Sequence, residues 1–186
     1  MFKKMRGFTL IELLIVVAII GILAALLIPN ALEAIQKAKQ KSAMKEIMVY
    51  ATAAADYMTD HGDFALVPSA GVLAVGNPFW LACSGFYIKN PPINDPWNFP
   101  YEAHLGKTAV GSIVTGAVQA EIGEDDYIIL SRGRLNVVGP TYLASLYTKA
   151  TPDAGRYNVT SMVDFNEDLV NWDGSWIVGP RTTVAS

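Results

Sequence analysis

Three groups of residues in this 186-residue sequence have types and spacings that could do chemistry. The first is Asp164, Asn166 and Asp168. D-x-N-x-D spacing turns alternate oxygen-bearing side chains toward one centre in a tight loop, and calcium takes roughly six to eight oxygens. Asp173 and backbone carbonyls extend the candidate ligand set. The loop is not an EF-hand, because Leu169 stands at the turn-glycine position and Ser175 at the bidentate-glutamate position. The plain alternative is a solvated acidic turn. The second group is Glu12 with its neighbours. It is the single charge between Phe8 and Ile28, and a carboxylate at mid-bilayer costs on the order of 3 kcal/mol, less toward the interface. A simple anchor gains nothing from it. The third group is His61, His104 and Cys83. None of them sits in an H-E-x-x-H, C-x-x-C or G-x-S-x-G context, and no phosphate-cradling glycine loop is present. These residues point to no enzyme.

What must position Glu12 is a long helix. The apolar run from Phe8 to Ile28 is long enough to cross a bilayer, since about 20 helical residues span roughly 30 Å. A secretory signal has a shorter apolar core, about 7–15 residues, without a carboxylate. Lys3, Lys4 and Arg6 precede the run, and Gly7 stands directly before Phe8. A cut between Gly7 and Phe8 would leave an α-amino group on Phe8 about 6 Å along the helix axis from Glu12. Two such helices packed with an axial offset bring Phe8 of one against Glu12 of the other. That pairing relieves two charges that are expensive alone in a low dielectric. Pro29 follows the run and predicts a bend or a locally melted turn.

From Asn30 the pattern becomes amphipathic. Leu32, Ile35, Met44, Ile47, Met48, Ala51, Ala54, Ala55 and Met58 recur at helical spacing. The helix is predicted to stop at His61-Gly62 and so to reach roughly 75 Å from Phe8. Lys37, Lys39, Lys41 and Lys45 lie mainly off the apolar stripe. They read as a solvated face, or as a contact for lipid headgroups or acidic patches on other copies. Lysines on both sides of the span leave the positive-inside count nearly balanced.

The sequence is 52% hydrophobic and 17% charged, with the apolar excess concentrated near the N-terminus, so the remainder reads as one ordinary globular domain. A net charge of −3 supplies no basic field for nucleic acid, and loss of Lys3, Lys4 and Arg6 would make the chain more acidic still. A single cysteine excludes an intrachain disulfide, and Cys83 in FWLACSGFYI reads as buried and inert. Residues 64–94 are broken by Pro and Gly into short helix or strand, with Trp80, Phe86 and Tyr87 predicted to pack on the long helix. Asp95-Pro96-Trp97-Asn98-Phe99-Pro100-Tyr101 predicts a rigid turn packed on the core, and Asn98 within it is a residue that tolerates the left-handed region. Residues 107–123 predict an extra hairpin, and Tyr127–Ser131 a strand. A second insertion runs from Asn136 to Ser161, and the last ten or so residues read as loosely ordered.

The N-terminal stretch, K-x-x-x-G followed by FTLIELLIVVAIIGILAA and then Pro29, resembles the processing signal of type IV pilins and type II secretion pseudopilins. DPWNFPY, DYIILSRG and EDLVNW follow in the order of the major pseudopilin's D-P-W-G-x-P-Y, D-Y-x-x-x-S-x-G and closing A-D-I-x-N-W segments. The resemblance implies an α+β pilin fold, with a long N-terminal α-helix packed against a small antiparallel β-sheet. It divides the chain into a cleaved leader (1–7), a transmembrane and filament-core helix (8–29), an amphipathic half-helix (30–61) and a periplasmic globular region (62–186). It implies cleavage after Gly7 by a prepilin peptidase, N-methylation of Phe8, and assembly through Phe8, Glu12 and Pro29. The implied partners are copies of itself, other pseudopilins or minor pilins, and an inner-membrane assembly platform. The implied location is the inner membrane, single-pass, with the globular part in the periplasm and assembly into a periplasmic pseudopilus or an extracellular pilus. The implied role is a filament subunit that helps export folded proteins. A type IV pilin for adhesion, motility, DNA uptake or electron transfer stays open, as does an anchored binding module that never polymerises. The resemblance also implies calcium in the closing loop, with Asp168 as a ligand. A further acidic ligand is implied after the S-x-G strand, where this chain has Arg134 and Leu135.

Overall fold

The computed structural model describes residues 7–114, 120, 122–137 and 155–181. By internal contacts the chain forms two compact units, residues 1–36 and 37–186. Helix α1, Leu10–His61, contributes to both. It remains helical through Pro29, so the turn predicted to melt there does not. A proline costs a helix interior about 3 kcal/mol, but a break would need a second helix nucleus, which is itself unfavourable. Asn30 donates its side-chain amide to the Leu26 carbonyl at 3.3 Å, one position on from the carbonyl that Pro29 cannot serve. The helix stops where predicted: Gly62 takes φ +83°, and its N–H closes on the Met58 carbonyl at 2.8 Å.

The second unit is built on a six-stranded sheet. Its strands are β1 (Ala70–Val72), β2 (Glu102–Leu105), β3 (Tyr127–Ser131), β4 (Arg156–Tyr157), β5 (Leu169–Trp172) and β6 (Ser175–Pro180). They lie in the order β1-β2-β3-β5-β6-β4. All pairs are antiparallel except β4 with β6. Period-2 alternation gives the sheet two buried faces. Ala103, Leu105, Tyr127, Ile129 and Leu169 face one core with Ala43, Ile47, Tyr50, Ala54 and Tyr57 of α1. Ile128, Leu130, Val170, Trp172 and Ile177 face a second, smaller core.

Several expectations change at this level. Met48 and Ala55 of the predicted stripe are exposed, while Tyr50 and Tyr57 are buried. A tyrosine is ambiguous in a hydropathy pattern, and its burial depends on a partner for the hydroxyl. The Tyr50 hydroxyl finds one in the Pro92 carbonyl. Residues 107–123 do not begin as a hairpin: Gly106–Ile113 is helix α3, which lays Val110 on the second core. The outer face of the sheet has to be covered, and that tertiary need overrides the β-propensity of Val and Thr. Helix α2, Pro78–Cys83, puts Phe79 and Cys83 into the first core. Phe86 is exposed rather than packed on α1. Tyr87 does reach α1, donating to Asp60 at 2.7 Å, and the half-buried Trp80 donates its indole N–H to the Pro91 carbonyl. Most of the second insertion lies outside the described residues.

Candidate functional site

The N-terminal site begins at Gly7, where nothing lies within 4 Å of the place a Cβ would occupy. Phe8 beside it is 82% exposed. Thr9 is the N-cap of α1 and Glu12 is its third helical residue. The Thr9 backbone N–H and hydroxyl both donate to Glu12 Oε2, at 2.9 and 2.7 Å. The Glu12 N–H donates back to the Thr9 hydroxyl at 3.3 Å. This is a capping box, and its sequence signature T-x-x-E is present in TLIE, inside the apolar run. The box holds the carboxylate at the helix start, where orphan N–H groups and the helix dipole favour negative charge.

Beyond that cap the apolar side chains of the run are exposed on every side of the helix, Leu10 through Ile28. Covering a Leu or Ile side chain is worth about 1.5–3 kcal/mol, so a helix apolar all round demands lipid or other helices. By length and composition α1 can cross a membrane. Among the described residues before Gln40 none is buried.

The second candidate site is the closing loop. Asp164 and Asn166 lie in a 3₁₀ segment, Met162–Asn166, and Asp168 follows it directly before β5. They do not converge on one centre. Asp164 Oδ2 turns back to accept from the N–H groups of Thr160 and Ser161, both at 2.7 Å. Those bonds, Thr160 first, hold its carboxyl below the usual aspartate range. Asn166 Oδ1 accepts from Arg134 Nε at 2.9 Å. Asp168 is buried at the start of β5. Asp173 lies past the other end of that strand, with φ +47°, and accepts from the Tyr127 N–H at 2.9 Å. Partial desolvation and then contact with Asp126 push its carboxyl up to about 7. Among the described residues no group of three or more His, Cys, Asp or Glu is placed to hold a metal. Three of the four candidate calcium ligands are turned to other partners: Asp164 caps a turn, Asn166 faces a guanidinium, and Asp173 is a strand away from Asp168.

Among the described residues no catalytic set forms elsewhere. His61 stacks on Tyr57 with ring centroids 4.1 Å apart. His104 lies 3.5 Å from Glu102, which also receives the Nε and Nη2 of Arg132. Burial pushes the Glu102 carboxyl up, but hydrogen bonds from His104 and Arg132 outweigh it and bring it to about 2. This is a structural ion-pair network between β2 and the end of β3. Cys83 is buried, and burial alone raises its thiol to about 12, which makes it inert.

The sequence segments DPWNFPY and DYIILSRG meet in space. Asp95 Oδ1 accepts from the N–H groups of Trp97 and Phe99, both at 2.9 Å. Its Oδ2 accepts from the Ser131 hydroxyl at 2.7 Å. Asn98 takes φ +71°. Tyr101 then donates its buried hydroxyl to Glu46 of α1 at 2.7 Å. One aspartate thus closes the turn, ties it to β3 and sets the aromatic that fastens it to α1.

The family model of the prokaryotic N-terminal methylation motif matches residues 2–28. The type II secretion system core protein G of Aeromonas hydrophila is 31% identical over 135 residues, which cover 68% of this chain and 92% of the relative. That of Vibrio cholerae is 34% identical over 131 residues, covering 66% and 89%. The type IV major pilin protein PilA of Myxococcus xanthus is 48% identical over 63 residues, 32% of this chain and 29% of that one. No solved structure matches. With a capped apolar helix, a pilin-like sheet and relatives aligned over nearly their whole length, the chain belongs to the type II secretion system core protein G family, the major pseudopilins.

Proposed function

We propose that this pseudopilin is cut between Gly7 and Phe8 by a prepilin peptidase, N-methylated at Phe8, and held in the inner membrane by residues 8–29 until assembly. Its class of protein is a structural subunit that polymerises through its N-terminal helix and helps a type II secretion-like system export folded proteins. The globular unit stands in the periplasm in this reading, and the partners are further copies, other pseudopilins and an assembly platform in the membrane. No enzymatic step is assigned to it.

The observation that carries the proposal is the N-terminus of α1: an apolar surface on all sides with one carboxylate fixed at its start. Lipid satisfies the surface before assembly, and neighbouring α1 helices satisfy it afterwards. The carboxylate then supplies register. A neighbour displaced along the axis presents its Phe8 amino group to Glu12, and an offset contact of this kind does not close on itself, so it generates an open helical filament. A type IV pilin reading draws on the PilA likeness, which covers 32% of this chain against 68% for the Aeromonas pseudopilin.

Mass spectrometry of the N-terminus of protein taken from its native membrane tests this. The expected mature chain begins at N-methylated Phe8. Retention of Met1 would remove the peptidase step, and a cut near Pro29 would make the product a soluble domain with no filament helix.

A further inference from the structure

We propose that Arg134 is the resident cation of the 162–168 loop, so that the loop keeps its fold without calcium. The loop gathers Asp164, Glu167 and Asp168 within five residues, and such a concentration of negative charge needs a counter-charge. Here the chain carries its own. Arg134 Nε donates to Asn166 Oδ1 at 2.9 Å, and Asn166 is the central residue of the D-x-N-x-D pattern. A guanidinium within hydrogen-bond distance of that oxygen takes the place a ligand oxygen would need to offer a metal, and it repels a divalent ion.

The arrangement is built rather than incidental. Arg134 lies in the 3₁₀ turn Gly133–Leu135, which packs on the 3₁₀ segment of the loop. The approach depends on Gly133. It has φ +63°, and a Cβ there would stand 2.5 Å from the Glu167 carbonyl oxygen and 3.0 Å from that of Phe165. Only glycine lets the two turns close and delivers Arg134 to Asn166. The serine two residues earlier fixes the start of the turn, since its hydroxyl accepts from the Gly133 N–H at 3.2 Å while donating to Asp95. Two further candidate ligands are engaged by backbone: Asp164 by the Thr160 and Ser161 amides, and Asp173 by Tyr127 beyond the far end of β5.

The test uses the full chain in detergent, melted with millimolar chelator and with millimolar calcium chloride. The expected result is the same Tm in both, and amide exchange at residues 162–168 that calcium does not slow. Arg134→Gln should lower the Tm by roughly 2–4 °C for each kcal/mol lost at this chain length. It should also speed exchange at 162–168, and calcium should not reverse either change. A wild-type Tm that falls on chelation and returns with calcium would overturn the proposal. So would an Arg134→Gln chain whose exchange at 162–168 matches the wild type.

Discussion

Glu12 illustrates how one side chain can be held by its own helix and still be proposed for another. In the folded chain its carboxylate accepts from both donors of Thr9, the return half of a capping box. In the proposed filament its charge meets the Phe8 amino group of a neighbour. The two roles separate by chemistry. A capping box accepts glutamine in place of glutamate, whereas pairing with an ammonium group needs the charge. Glu12→Gln is therefore expected to insert in the membrane, keep its helix start and fail to form filaments of normal abundance. Glu12→Ala should lose assembly and also fray the first turn, read as faster amide exchange at residues 9–12. Wild-type filament yield from Glu12→Gln would assign the residue to capping alone. The same scale shows what residue types leave open. Asp164 has the spacing of a metal ligand and serves as a cap, its carboxylate taken by the backbone N–H groups of Thr160 and Ser161.

Among the elements, the turn at residues 95–101 does the most joining. Its aspartate is buried with three hydrogen bonds, two to its own turn and one to β3. Replacing a buried charged acceptor strands its donors, at about 1.5–3 kcal/mol for a hydrogen bond to a charged group. Asp95→Ala is expected to cost about 3 kcal/mol or more, and Ser131→Ala about 1–2 kcal/mol, both measured from urea midpoints at unchanged slope. If Ser131→Ala proved as costly as Asp95→Ala, the hydroxyl rather than the turn would be the main tie. The turn itself was legible, since Asp, Pro and Asn occupy positions whose local chemistry demands them. Its partner in β3 lies 36 residues away, and nothing local to either segment names the other. α3 shows the opposite failure. Residues 107–123 read locally as a hairpin, but Gly106–Ile113 is helical because the outer sheet face needs a cover.

At the scale of the whole molecule, the described buried residues begin at Gln40, while the apolar run of α1 stays uncovered by its own chain. A chain starting at Asn30 retains every one of those buried residues. It is expected to be monomeric and to melt cooperatively without detergent, whereas the full chain should require detergent or lipid; sedimentation of both forms checks this. An aggregated truncated chain would mean that the first 29 residues support the globular fold. The sequence by itself determined what depends on neighbours along the chain: the long apolar helix, its stop at Gly62, the turn at Asn98 and the burial of Cys83. It also carried the filament-subunit reading, because a membrane-length helix with one carboxylate is a local pattern. Only the tertiary structure decided which aromatics enter the core, with Phe79 and Tyr50 chosen over Phe86. It alone set Asp95 on Ser131, Glu46 on Tyr101 and Arg134 on Asn166. Those choices join residues tens of positions apart, and they are made by shape and by the need to satisfy buried polar groups, which no short window of sequence contains.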